Sequence, residues 1–283
     1  MAAEAGHKEM TFLEHLEELR WTLVRSAIAV VIGMVAAFIG KEFVFDKVVL
    51  AARSPDFITY RVLCWVSRQL GLGDGLCIKD LGFDLQNITM SGQFITHLMV
   101  SFVAGLIIAS PYVFWEIWRF IAPGLHARER RMGGYAVGFA SLLFLAGAAF
   151  GYYVMAPMSI QFLGGYQVSA SVRNMISLDS YISTVTSIPL WSGLVFELPL
   201  IVFMLARMGL VGPDMLRSYR RHAYVGILVI AAIITPPDVS SQVLVSLPLI
   251  ALYEAGIMLA AREERRYQRR NGEVRGQHGP ERS

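Results

Sequence analysis

Charge is scarce in this chain of 283 residues: only 17% are Asp, Glu, Lys or Arg, below the roughly 25% usual in soluble domains. The charges that exist are gathered into short blocks. Between them run apolar stretches, and hydrophobic residues make up 55% of the chain at a mean hydropathy of +0.50. That is more apolar surface than a soluble core can bury, so lipid is expected to cover the excess. Enzyme signatures are missing as well. There is no G-x-S-x-G, no P-loop, no H-E-x-x-H and no Cys/His cluster at metal spacing, which argues against the common nucleophilic, nucleotide-driven and metal-dependent chemistries. No enzyme activity and no cofactor are expected. Without an ATP-binding element, any transport work must draw on the membrane potential, an ion gradient or a partner. The net charge of +3 is not read as nucleic-acid binding, because the basic residues fall between apolar runs and near the C-terminus, where they act as topology signals. Met1 to Met10 is polar and the first apolar run follows an acidic segment, so no cleavable signal peptide is expected and the first helix should stay attached.

What is present is a series of spans. About 20 apolar residues cross roughly 30 Å of hydrocarbon, and four runs satisfy this: Trp21 to Gly40, Ile95 to Trp118, Met132 to Ala156 and Tyr181 to Ala206. Two more follow, His222 to Thr235 and Gln242 to Ala261, parted by Pro236, Pro237 and Asp238, which end one helix and turn the chain. The expected fold is therefore an all-α integral membrane protein of six transmembrane helices with a short fifth and sixth, the fifth too short to cross a normal bilayer without thinning it. Assigning alternate segments to the same side puts 18 of the 25 Lys and Arg residues with both termini, so both termini are predicted to be cytoplasmic. In domain terms, residues 1–20 read as a cytoplasmic amphipathic helix on the membrane surface and 21–261 as the membrane domain. Residues 42–92 form a long extracytoplasmic loop, and 262–283 a basic, disordered cytoplasmic tail. The two cysteines, Cys64 and Cys77, lie in that outside loop. An oxidising compartment favours a disulfide between them, the alternative being two independent buried thiols.

Several polar residues are costly where they sit. Glu197 lies inside the fourth span between Pro189 and Pro199, where an ionised carboxylate costs several kcal/mol unless protonated, paired or hydrated. It is expected either to face a concave, partly wet surface or to be a protonated carboxyl bonded to a neighbouring helix. Glu254 lies two turns from the arginines beginning at Arg262, so a structural ion pair or a snorkelling position is expected. Thr235 and Gln242 flank the Pro236-Pro237 turn and could bond another helix or cap their own. Two G-x-x-x-G pairs in the third span, Gly134 with Gly138 and Gly147 with Gly151, permit close helix approach. On the N-terminal side, Thr11 and Glu14 form a capping box ahead of the apolar stripe Phe12, Leu16, Leu19 and Leu23. Glu14 and Glu18, beside His15, show an acidic strip that is either a binding face or merely solvated. Glu129, set among Arg128, Arg130 and Arg131, offers a second carboxylate held ionised by its neighbours.

The order of these residues resembles the TatC family of the twin-arginine protein translocase. The resemblance is carried by His15-Leu16-Glu17-Glu18-Leu19-Arg20, by Trp118-Arg119-Phe120-Ile121-Ala122-Pro123-Gly124-Leu125 followed by Glu129-Arg130, by Phe196-Glu197-Leu198-Pro199, and by Thr235-Pro236-Pro237-Asp238 with Gln242. It runs from about Phe12 to about Arg262. It implies a non-enzymatic, cupped six-helix protein of the inner membrane that binds twin-arginine signal peptides of folded cargo and recruits the single-span partners TatA and TatB in a multimeric complex driven by the proton-motive force. By position, it implies a signal-peptide site at Glu18, Leu19, Arg20, Phe120, Pro123 and Glu129, and a partner-helix surface at Glu197, Thr235 and Gln242. Thr22 stands where a second basic residue is frequent in the family, and Ala51-Ala52 where a proline is common.

Two rival classes remain open from the residues alone. An intramembrane glutamate on a proline-broken helix suits an ion-coupled secondary transporter or channel, although no inverted repeat is visible. A structural subunit of an energy-converting complex is the other.

Overall fold

The computed structural model describes residues 12–69, 71, 73, 77, 83–124, 133–169, 171, 174–207, 211–234, 242, 243, 245–258 and 260–262. Thr11, Glu129, Thr235 and the tail beyond Arg262 lie outside the described residues. Five helices among the described residues are long and apolar enough to cross a membrane: Leu13–Ile39, Gly92–Ile121, Gly134–Gly165, Leu178–Leu205 and Val245–Arg262. The chain is thus an all-α, multi-pass membrane protein. The predicted short span appears as a helix of 15 residues, Arg220–Ile234, about 22 Å long at 1.5 Å per residue.

The helices are α1 (Phe12–Ile39), α2 (Ile58–Gln69), α3 (Gly92–Ile121), α4 (Gly133–Phe150) and α5 (Ala156–Gly165). They continue as α6 (Leu178–Phe196), α7 (Leu198–Arg207), α8 (Pro213–Ser218), α9 (Arg220–Ile234) and α10 (Val245–Arg262). Two three-residue strands, β1 (Asp84–Gln86) and β2 (Met175–Ser177), pair in parallel with Leu85 opposite Ile176. Segments of three residues are too short to show a period of two, so no strand was expected from the sequence.

The chain divides into two compact units, one from Met1–Lys41 and His97–Leu142, the other from Glu42–Thr96 and Leu143–Ser283. In the first unit α1 runs for 28 residues without interruption. No glycine or proline stands between Phe12 and Gly33, so nothing ends the helix there. Gly33 on α1 meets Gly105 on α3 backbone to backbone, a Cβ on Gly105 falling 2.4 Å from the Met34 nitrogen. Pro111 inside α3 offers no N–H to the Ile107 carbonyl. The Ser110 hydroxyl donates to that carbonyl instead, at 2.8 Å.

In the second unit the stretch Phe43–Arg53 leaves the α-helical pattern, first as a π segment and then as a 3-10 turn. Its freed carbonyls need partners, and three tyrosines supply them. Tyr152 donates to Val48 at 2.6 Å, Tyr181 to Val49 at 2.8 Å and Tyr60 to Ala52 at 3.3 Å. Burial pushes the Tyr60 phenol above its ordinary pKa, which keeps it a neutral donor. Of the two G-x-x-x-G pairs only the second brings helices together. A Cβ at Gly147 would strike Phe196 and one at Gly151 would strike Pro189, whereas Gly134 and Gly138 have nothing within 4 Å. The core around this crossing is Met155, Ala156, Ile188, Ile227, Ala231, Val245 and Leu249.

Candidate functional site

The N-terminal motif and the Trp118–Leu125 motif meet in the first unit. The His15 ring stacks on Phe120 with centroids 4.3 Å apart and planes 20° from parallel. Glu18 lies one helical turn along α1 from His15, on the same face, and both Glu18 and Leu19 are half-buried. Arg20 is exposed and 3.6 Å from Glu17, a surface pair worth little, while its guanidinium also lies 5.5 Å from the centre of the Trp21 ring. Pro123 is exposed in the 3-10 turn Ala122–Gly124 that ends α3. The described residues thus collect Glu18, Leu19, Arg20, Phe120 and Pro123 around the start of α1 and the end of α3. Glu129 falls outside them.

Behind this surface is a charge cluster that sequence reasoning missed. Glu116, 2% exposed, accepts from Arg25 Nε at 2.9 Å and from the Tyr112 hydroxyl at 3.0 Å. Arg119 lies 3.9 Å away. Arg25 was counted only as a topology signal, and Glu116 sits one turn before the end of its span. The readable signal was an acid and a base at matching depth in two apolar helices. Removing one partner of a buried pair leaves the other uncompensated, at a cost of about 3 to 5 kcal/mol, whereas replacing both by apolar groups is often neutral. Arg25→Met or Glu116→Leu alone is therefore expected to lower the unfolding temperature of the detergent-solubilised protein, and the double variant to recover most of the loss. A double variant no better than the worse single one would contradict this.

In the second unit α6 ends at Phe196, and Glu197 occupies the turn before α7. Pro199 provides no N–H for the carbonyl one turn back, and the Glu197 N–H turns to Leu194 at 3.2 Å. The Glu197 side chain is 7% exposed rather than open to a wet surface. The Phe144 backbone supplies one hydrogen bond to its carboxyl, while Oε1 has no hydrogen-bond partner among the described residues. Gln242 donates from Nε2 to the Leu228 carbonyl at 3.1 Å, so this amide ties the start of the last helix to α9. Thr235 lies outside the described residues. Glu254 is an ion-paired residue as expected, but not with the arginines from Arg262. Arg220 reaches it at 2.6 Å and Tyr224 donates to it at 2.6 Å. Both partners stand in the first turns of α9, and their meeting with Glu254 cannot be read from linear spacing.

No cluster of His, Cys, Asp or Glu at metal-binding distance occurs among the described residues. The arrangement can recognise cations with carboxylates and bond helices with buried polar groups.

Comparison with known proteins gives a consistent answer. Residues 14–248 match the family model described as Sec-independent protein translocase protein (TatC). A protein of that name from Blattabacterium is 32% identical over 253 residues, covering 89% of this chain and 95% of its own. One from Desulforapulum autotrophicum is 36% identical over 250 residues, covering 87% and 83%. Among solved structures, one described as the twin arginine translocase receptor TatC aligns with a TM-score of 0.64 at 32% identity, covering 88% of this chain and 98% of its own. The same receptor in DDM aligns at 0.68 and 33% identity, covering 87% and 99%. The transporter or channel reading drawn from Glu197 finds no support among these matches. With both motifs of the first unit in contact and the match extending over nearly the whole chain, this protein belongs to the TatC family of Sec-independent protein translocase components.

Proposed function

We propose that this chain is the signal-peptide receptor and core subunit of a translocase that exports folded proteins across the cytoplasmic membrane. The observation that carries the reading is the His15–Phe120 stack, which brings the carboxylate-bearing start of α1 to the end of α3. A carboxylate there pairs bidentately with guanidinium, and Glu129, which follows α3 in sequence, would supply a second one to a paired-arginine signal. The distribution of Lys and Arg supports six spans with both termini cytoplasmic, which puts this surface where an unexported peptide would be met. Single-span partners of the TatA and TatB type would dock their membrane helices near Glu197, Thr235 and Gln242, and the proton-motive force would drive transport. The decisive experiment is photo-crosslinking in native membranes. A twin-arginine peptide is expected to crosslink to this protein at Glu18-adjacent positions and its twin-lysine version is not; equal crosslinking of both would defeat the reading.

The loop of residues 42–92 would then face an oxidising compartment. Cys64 and Cys77 are bonded, with Cα atoms 4.3 Å apart and a sequence separation of 13, and closing a loop of this size contributes about 3 kcal/mol against unfolding. In intact membranes neither cysteine is expected to react with a maleimide until a reductant is added. Full labelling of both without reduction would contradict the pairing.

A further inference from the structure

Helix α2, Ile-Thr-Tyr-Arg-Val-Leu-Cys-Trp-Val-Ser-Arg-Gln, has no role in the function proposed above. At about 100° per residue, Ile58, Val62 and Trp65 fall on one stripe, Arg61 and Arg68 along one flank, and Tyr60 and Ser67 on the opposite side. The structure keeps that division. Tyr60 and Ser67 are fully buried, while Ile58, Val62 and Trp65 are 55%, 53% and 62% exposed. The helix cannot roll to hide the stripe, because its other face is anchored. The Thr59 hydroxyl donates to the Tyr153 carbonyl, the Tyr60 hydroxyl donates to Pro157 at 3.1 Å, and Cys64 is tied to Cys77. Pro157 itself provides no N–H to the Tyr153 carbonyl one turn back, so α2 docks where that backbone is unsatisfied.

This docking sets the depth of α2. The span Gly134–Gly165 has 32 residues, whereas about 20 cross the hydrocarbon. Counted from its Gly134 end, which follows the basic Arg130 and Arg131, the stretch Tyr153–Pro157 stands roughly 20 residues along, at the far boundary of the hydrocarbon. An aromatic group marks the same level: Phe57 lies 5.5 Å from Tyr152 and 5.9 Å from Tyr153, ring centre to ring centre, as expected of residues at headgroup depth.

We propose that α2 lies in the plane of the extracytoplasmic membrane interface, with Ile58, Val62 and Trp65 inserted among headgroups and upper acyl chains and Arg61 and Arg68 beside lipid phosphates. The occupant of the stripe is lipid rather than a second copy or a partner helix. The docking on Tyr153 and Pro157 puts the stripe at the boundary of the hydrocarbon beside an aromatic group, and arginine along its flank suits phosphate. The proposal needs the multi-pass topology but not the signal-peptide reading.

The test is fluorescence of the full-length chain in phospholipid vesicles, subtracting the spectrum of Trp65→Phe from that of the native protein to isolate Trp65, with Trp65→Leu as a second subtraction. The Trp65 component is expected to be quenched by lipids brominated near the headgroup end of the acyl chain and to resist aqueous iodide. It should be unchanged when the protein is diluted into more lipid. Strong iodide quenching without bromolipid quenching overturns the proposal, because the helix then sits in water. Bromolipid quenching that appears only on dilution also overturns it, because another copy of the chain then covers the stripe.

Discussion

Glu129→Ala and Glu18→Ala are each expected to weaken binding of a twin-arginine peptide by about 10- to 150-fold, the loss of one charge-assisted hydrogen bond at about 1.5 to 3 kcal/mol. The sign follows from the chemistry of the ligand. A guanidinium bound by one carboxylate rather than two keeps part of its desolvation cost and loses a bidentate partner. Charge should matter more than size, so Glu129→Gln is expected to bind nearly as poorly as Glu129→Ala. Arg20, exposed, paired with Glu17 on the surface and lying over Trp21, should matter far less for stability. Peptide titration against the purified protein, with its unfolding temperature recorded beside it, separates the effects. Native affinity in Glu129→Gln would remove Glu129 from the site, and a parallel drop in unfolding temperature would assign the loss to folding instead.

Glu197→Leu is expected to insert into the membrane and bind signal peptide normally, yet to export little of a folded reporter. Two observations support that separation. Glu197 is buried in the second unit, remote in sequence from the residues of the peptide site, and one of its carboxyl oxygens has no partner among the described residues. A carboxyl kept only for stability would have both oxygens bonded, and an apolar residue of similar size would replace it without loss. An unused acceptor at membrane depth is instead available to a polar group arriving from outside the chain. Glu197→Gln retains hydrogen bonding and should give intermediate export. Membrane level, peptide binding and export are to be scored separately. Normal export by Glu197→Leu would make the residue a tolerated structural carboxyl, and disappearance of the protein from the membrane would show that it holds the helices together.

The spans were legible because they follow from a single physical quantity, the transfer of about 20 consecutive apolar residues into hydrocarbon. Five of the predicted runs correspond to long apolar helices and the sixth to the 15-residue helix Arg220–Ile234. The interruption at Glu197 before Pro199 was legible in the same way, since the missing N–H acts locally. Glu197 was found from the sequence because an acid in the middle of an apolar run is conspicuous. The Arg25–Glu116 pair was not, because each member stands near a span end, where charge is common and cheap.

Helix pairing was the other gap. The sequence offers Gly134 with Gly138 and Gly147 with Gly151 as equal candidates, and Gly33 and Gly105 as isolated residues with no motif at all. The fold uses the second pair and the two isolated glycines, leaving the first open. Spacing along one helix says only which residues share a face. Which face meets a neighbour depends on the rotation of both helices, and that is set by contacts far apart in the chain.

The same division runs through the whole molecule. Membrane residence, the number of apolar segments and the residues at which helices break are properties of the chain taken a turn or a span at a time, and composition alone accounts for them. The capping of Val48 and Val49 by the distant Tyr152 and Tyr181, the pairing of Glu254 with Arg220 and the meeting of His15 with Phe120 arise only on folding. Each joins groups whose separation along the chain carries no information about their distance in space, and for the carbonyls of Val48 and Val49 the contact is stabilised by the need of a buried polar group for a partner.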